Sequence, residues 1–283
     1  MADGGAAVAA GMPAAVALRA ATARFAFSPT ARLDAELLLA HALGIERSAL
    51  LLDLARPVPA AFVDAVARRA RQEPVAYITG LRGFWTLDLA VGPGALVPRA
   101  DSETLVATAV ALLAKRPPAM ILDLGTGPGT LLLALLDAWP AARGLGVDRS
   151  AAALDYARIN AAAFGDRARF VQGDWASAID ARFDLVVANP PYIAADAVLP
   201  DEVAGFEPVS ALFAGDDGLD DYRRLAPVLP RLMAPDGLIL LEIGFDQADA
   251  VAALLREQGL ATQAHRDLGG NPRVIAAHRA AST

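Results

Sequence analysis

From residue 119 onward, short apolar runs alternate with stretches of helical periodicity, and this alternation limits the possible folds more than any other feature. "MILDLG", "GLGVD", "ARFVQGD" and "FDLVVANPPY" read as strands, with helices at 129–138 and 150–163. "GLILLEIG", a helix at 246–258 and "RVIAAHR" continue the pattern. Parallel neighbours need a crossover connection, so such an order predicts an α/β fold with a doubly wound, mostly parallel sheet.

Ahead of this region, apolar residues recur at helical spacing in "PAAVALRAATARF", "ARLDAELLLAHALG", "RSALLLDL" and "PAAFVDAVARRARQE". Gly44 reads as a helix stop, and Pro57 and Pro59 lead into the fourth helix, on which Arg68, Arg69 and Arg71 read as a solvated face. "VAYITGLRGFWTLDLAVGPGALVPR" is richer in β-branched and aromatic residues and reads as a hairpin. "DSETLVATAVALLAKR" is then a helix that Asp101 or Ser102 can cap. The expected organisation is an N-terminal helical domain at 1–75, a β-hairpin linker at 76–98 and an α/β domain at 99–283.

Charge and composition exclude several functions. The net charge is −7, yet residues 1–75 hold eight Arg against seven acids, about +1, which leaves about −8 on the rest. An acidic α/β region suits duplex nucleic acid poorly, because phosphate neutralisation dominates that binding. The chain has no cysteine and three scattered histidines, His41, His265 and His278, so no metal site is expected. The start lacks the basic and strongly apolar regions of a signal peptide, and no window reaches the ~18 apolar residues of a membrane span. A cytoplasmic protein is expected.

The first strand of the α/β region runs into "GTGPGT", Gly125 to Thr130. Glycines there let the backbone turn sharply and let a ligand approach the amides. The spacing is G-x-G-x-G, which departs from the dinucleotide fingerprint. Asp148 ends the second strand, where a carboxylate can accept both hydroxyls of a ribose. Asp174 and Trp175 follow the third, where the acid can accept an adenine amino hydrogen and the indole can cover the ring. Three converging strand ends point to an adenosine, and without a dinucleotide loop to S-adenosyl-L-methionine rather than NAD.

The fourth strand ends in Asn189, Pro190, Pro191 and Tyr192. Pro190 holds Asn189 out of the helical region, and neither proline has an amide hydrogen. The turn therefore presents acceptors, the Asn189 side-chain oxygen and the Pro190 carbonyl, and Tyr192 adds an aromatic face. Two acceptors fit a planar NH2 group, which suits methyl transfer to a weakly nucleophilic nitrogen held by positioning and electrostatics.

With "DAELLLAHALG", "EPVAYITG", "FWTLDL", "VPRADSETLV", "LDLGTGPG", "VDRS", "GDW", "NPPYI", "FEPVSAL", "LLEIG" and "DLGGNPRV" in one chain, the sequence resembles the HemK/PrmC family of peptide chain release factor glutamine methyltransferases. The resemblance implies that Gly125, Thr126, Gly127, Pro128, Gly129 and Asp148 hold the methionine and ribose parts of S-adenosyl-L-methionine, with Trp175 at the adenine. It implies that Asn189 and the Pro190 carbonyl grip the glutamine of a class I release factor's Gly-Gly-Gln loop, with Tyr192 packed over it, and that the helical domain docks that protein. A monomer is expected.

Ribosomal-protein glutamine methyltransferases share these motifs but usually carry Pro-Arg-Ser-Pro where this chain has "PRADSETL", so Asp101, Ser102 and Glu103 favour release factors. The family's usual proline after Arg99 is Ala100 here. An N6-adenine nucleic-acid methyltransferase uses a similar turn, but it must flip a base and neutralise phosphates. The acidic α/β region counts against it.

Overall fold

The computed structural model describes residues 7–177 and 179–280. The first six residues of the expected helical domain, and Ala178 and the last three residues of the expected α/β domain, lie outside the described residues. The described chain divides into two compact units. One holds the residues up to Gly80 together with Leu199–Phe206, and the other holds Leu81–Val198 and the residues from Glu207 on. Among the described residues, no helix is long and apolar enough to cross a membrane.

The first unit contains α1 (Ala14–Arg24), α2 (Ala31–Leu43), α3 (Arg47–Leu52), α4 (Ala60–Arg69), α5 (Val75–Thr79) and, from later in the chain, α9 (Asp201–Ala204). Leu18, Leu38, Leu39, Leu50 and Phe62 form its fully buried core. Gly44 closes α2 in the left-handed conformation at φ 65°, as its position in the sequence suggested. Residues 75–79, expected to open the hairpin, are instead α5. Pro74 starts this single turn and Gly80, at φ 74°, ends it, so its caps override the β-propensity of Val75, Tyr77 and Ile78.

Arg69 corrects the expectation of a solvated arginine face. Its side chain is 4% exposed and pairs with Asp34 at 2.9 Å and Glu202 at 2.8 Å. Asp34 also accepts the Ser28 hydroxyl at 2.8 Å and the Thr30 hydroxyl at 2.9 Å. Arg68, by contrast, is 40% exposed and pairs with Glu73. Burial of Arg69 follows from a partner 35 residues earlier on α2, which helical periodicity does not show. Truncating Arg69 leaves a buried unpaired carboxylate, a change that typically costs about 3–5 kcal/mol.

The second unit begins with an antiparallel hairpin, β1 (Leu81–Phe84) and β2 (Leu87–Ala90). It continues with α6 (Glu103–Leu112), β3 (Met120–Leu124), α7 (Thr130–Ala138), β4 (Arg143–Asp148), α8 (Ala151–Asn160), β5 (Ala168–Gln172) and β6 (Phe183–Ala188). After the excursion to α9 come α10 (Asp220–Leu225), α11 (Leu229–Leu232), β7 (Met233–Glu242), α12 (Ala248–Glu257), β8 (Leu260–Arg266) and β9 (Pro272–Arg279). The seven strands lie in the order β5-β4-β3-β6-β7-β9-β8, parallel from β5 to β7, with β9 antiparallel to both neighbours. The doubly wound, mostly parallel sheet is as expected. β8 is an additional edge strand.

Alternation across the pleat builds two apolar layers. Ile121, Leu185, Val187 and Leu240 pack with Leu105, Leu132 and Leu135 on one face. Leu122, Val186, Ile239 and Leu241 pack with Leu225, Leu229, Val251 and Leu255 on the other. Strands covered on both faces read as continuous apolar runs, which is why they were visible in the sequence. The carboxyl ends of β3, β4 and β6 share one edge of the parallel sheet, where ligands of such folds bind.

Candidate active site

At that edge lies a cleft with about 1010 Å³ of empty space, open solvent included. Its lining includes Gly125, Thr126, Gly127, Pro128, Asp148, Asp174, Trp175, Asn189 and Pro191. The structure thus brings the turn after β3, the ends of β4 and β5 and the Asn-Pro-Pro turn together. Gly129, Pro190 and Tyr192 do not line it.

The glycine turn is held from both sides. The Gly125 and Thr126 amides donate to the Val147 carbonyl at 2.8 and 3.0 Å, so the end of β4 fixes the turn leaving β3. Gly125, at φ 72°, lies so close to the Trp175 ring that a Cβ would stand 3.0 Å from it. Asn160, at the end of α8, donates to the Pro128 carbonyl at 2.9 Å and bridges the Ala90 amide and carbonyl. Gly129, at φ 86°, starts α7 instead of facing the cleft.

Beneath the turn, Asp123 is fully buried and accepts from the Thr126 hydroxyl at 2.6 Å and the Leu132 amide at 3.2 Å. Among the described residues its other oxygen has no hydrogen-bond partner. Burial pushes its carboxyl up to about 7, against the pull of Thr126 and Leu132, and Asp148 adds to the rise.

Asp148 is aimed by two backbone donors. Its Oδ2 accepts from Gly127 N and its Oδ1 from Ser150 N, both at 2.8 Å. Each oxygen keeps lone-pair capacity for one further donor, which matches a pair of ribose hydroxyls. Trp175 adopts φ 49° and its indole donates to Asp221 at 3.1 Å. The ring is thereby fixed on the turn as a flat apolar wall. Asp174 is exposed, and its Oδ2 pairs with Arg224 at 2.5 Å, so one oxygen remains for an amino group. These residues fit an adenosine bearing an amino-acid tail: an acceptor pair, an aromatic wall and a glycine turn at the mouth of a helix.

Asn189 follows β6 directly and its Nδ2 donates to Ser102 Oγ at 3.3 Å. Ser102 was expected to cap α6, but it lies in the 3-10 turn Ala100–Ser102 in helical geometry and makes no capping bond. Its hydroxyl serves Asn189 instead, and Asp101 pairs with Arg273 at 3.2 Å. The Tyr192 ring packs against the apolar layer, burial raises its phenol, and its carbonyl accepts from Gln247 Nε2 at 3.0 Å. Gly218 lies against that carbonyl, 2.2 Å from where a Cβ would be. The turn is pinned from behind, with Pro190 buried.

The facing wall depends on a carboxylate the sequence did not single out. Glu207 is 5% exposed and accepts from the Val97 amide at 3.0 Å and from Arg99 at 2.5 Å. It ties the 95–99 wall, whose Arg99 lines the cleft, to the segment carrying Pro208 and Ser210. An acid placed before a proline in "GFEPVS" is the signal that marks it.

Residues 16–80 match the family described as PrmC N-terminal domain, and residues 101–205 match the family described as Methyltransferase small domain. The release factor glutamine methyltransferase of Rhodospirillum rubrum is 48% identical over 260 residues, covering 89% of this chain and 80% of that protein. This chain belongs to the release factor glutamine methyltransferase family. The Pseudomonas aeruginosa member is 47% identical over 255 residues, 87% of this chain and 92% of its own. A crystal structure of a methyltransferase from Pyrococcus furiosus, 17% identical, covers 75% of this chain and 96% of its own with a TM-score of 0.51, a likeness of fold. Family membership agrees with the HemK/PrmC resemblance read from the motifs.

Proposed function

We propose that this chain transfers a methyl group from S-adenosyl-L-methionine to the side-chain amide nitrogen of the glutamine in the Gly-Gly-Gln motif of class I peptide chain release factors, in the cytoplasm. The observation that carries this is the Asn189 amide, anchored through Nδ2 to Ser102 beside the glycine turn, Asp148 and Trp175. With Nδ2 engaged there, Oδ1 is the end available to accept from a substrate NH2. When bound, S-adenosyl-L-methionine supplies an electrophilic methyl on a sulfonium.

Gly125 to Pro128 hold the amino-acid end of the cofactor, Asp148 the ribose, and Trp175 and Asp174 the adenine. Asn189 Oδ1 holds one amide hydrogen of the glutamine; the Pro190 carbonyl, the acceptor the family resemblance implies for the other, belongs to a buried residue behind the cleft lining, and Pro191 and Tyr192 keep that turn rigid. An amide nitrogen is a poor nucleophile because its lone pair is delocalised into the carbonyl. Two acceptors in fixed positions restrain the NH2 and favour pyramidalisation, so catalysis comes from orientation and electrostatics. The methylated nitrogen then loses one proton to water. The helical unit is the proposed docking surface for the release factor.

The test is a competition. Radiolabelled S-adenosyl-L-methionine is offered with equimolar unmethylated release factor, ribosomal protein and duplex DNA. Label on the release factor supports the proposal; label on the ribosomal protein or the DNA instead overturns it.

A further inference from the structure

Glu242 ends β7 inside an otherwise apolar run, and its side chain is buried at 1% exposure. The parallel register pairs Ala188 with Leu241, which sets Glu242 beside Asn189 at the same edge. Among the described residues neither carboxylate oxygen has a hydrogen-bond partner, and Ser102 and Asn189 are neighbouring polar side chains that pull its carboxyl down against burial. A buried carboxylate with no formal partner, one strand from the proposed reacting group, is unexplained by packing alone.

The direction of the hydrogen bonds is informative. Asn189 Nδ2 donates to Ser102 Oγ, so the Ser102 hydrogen can turn elsewhere, and the buried, unpartnered Glu242, which the strand register sets beside Asn189, is the acceptor it can turn to. An ionised carboxylate only accepts. It therefore fixes the sense of the chain: Asn189 N–H to Ser102 oxygen, Ser102 O–H to Glu242. A donor at position 242 permits the reverse sense, in which Ser102 donates to Asn189 Oδ1 and Nδ2 turns toward the substrate. Two NH2 groups then face each other.

We propose that Glu242 is a positioning residue that, through Ser102, holds the Asn189 amide with Oδ1 toward the substrate. This rests on the methyltransferase reading of the cleft.

Protonation of Glu242 supplies the same wrong donor as a glutamine. Burial raises its carboxyl to about 7; Ser102 and Asn189 oppose the rise, as does Arg273 on β9, while Asp101 in the 3-10 turn adds to it. Tyr192 after β6 and Tyr222 on α10 are the remaining titratable groups around it, and burial raises both phenols. An acid limb near 7 in the pH profile is therefore expected from Glu242; Asp123 beneath the glycine turn is also raised to about 7, and the Glu242→Gln profile separates the two.

The test is Glu242→Gln, with kcat, KM and a pH profile measured beside the wild type. Expected are a kcat lowered about 100-fold at pH 8, the scale of losing one oriented polar group, with KM for cofactor and release factor little changed. The wild-type limb near 7 disappears in the variant, and Glu242→Asp restores part of kcat. Ser102→Ala, which breaks the chain at its middle, loses the same limb. In both proteins, NMR of the Asn189 side-chain amide reads the arrangement without turnover: its resonances titrate near 7 in the wild type and not in Glu242→Gln. An unchanged limb in the variants, or wild-type kcat in Glu242→Gln, overturns the assignment. The NMR titration decides it even if the wild type methylates no release factor, so failure of the two proposals is distinguishable.

Discussion

Asp148→Ala tests the cofactor half of the site most sharply, because both oxygens of this carboxylate have a defined neighbour. Gly127 N and Ser150 N each lie 2.8 Å from one oxygen, which aims the remaining lone pairs into the cleft. Hydrogen bonds to a charged acceptor contribute about 1.5 kcal/mol or more each, so losing two ribose hydroxyl contacts costs about 3 kcal/mol. That corresponds to a Kd for S-adenosyl-L-methionine weaker by roughly 150-fold. The Gly127 amide also loses its acceptor, which loosens the turn and adds to the effect. Asp148→Asn keeps one acceptor oxygen but sets an NH2 against a backbone N–H, and it falls between wild type and Ala. Isothermal titration calorimetry at fixed salt reads the affinity, and thermal melting without ligand checks the fold. A folded Asp148→Ala protein whose Kd stays within about 3-fold of wild type refutes the reasoning.

Asn189→Ala lowers kcat by roughly 1000-fold, while surface plasmon resonance shows release-factor affinity nearly unchanged, since only the reacting amide loses its partner. Wild-type turnover in that variant contradicts the role given to Asn189. Asp123 gives a pH signature: its carboxyl is raised from 3.8 to about 7 by burial, so its contribution to stability is full below its unfolded value and is lost as pH rises through about 7. Asp123→Asn removes a decline that reaches on the order of 4 kcal/mol for a shift of that size, and urea midpoints from pH 4 to 8 measure it. Identical pH slopes in the two proteins are the contrary result.

What was legible in the sequence was whatever local pattern dictates. β3, β6 and β7 are covered on both faces, so "LVVA" and "LILL" stand out as apolar runs, and "ILDL" as one broken only by Asp123. Asp148 was legible because a strand end and the helix after it place it. β8 was not, because "LATQAHR" is an edge strand with exposed Gln263 and Ala264 and no apolar run. α5 was hidden by β-branched residues whose conformation its two caps decide. Distant pairings were equally invisible: Arg224 reaches Asp174 across 50 residues and Ser102 reaches Asn189 across 87. Ser102 consequently read as a cap when its tertiary partner claims it. Glu242 carried a usable signal, an acid within "LILLEIG", whose meaning depends on the strand beside it.

The most direct measurement is the position of the methyl group. Unmethylated class I release factor is incubated with this protein and S-adenosyl-L-methionine, digested and sequenced by tandem mass spectrometry. The assignment predicts one methyl on the side-chain nitrogen of the Gly-Gly-Gln glutamine, appearing roughly 1000-fold more slowly after Asn189→Ala. A methyl on any other residue, or an unmodified Gly-Gly-Gln peptide after prolonged incubation with active cofactor-loaded protein, contradicts it.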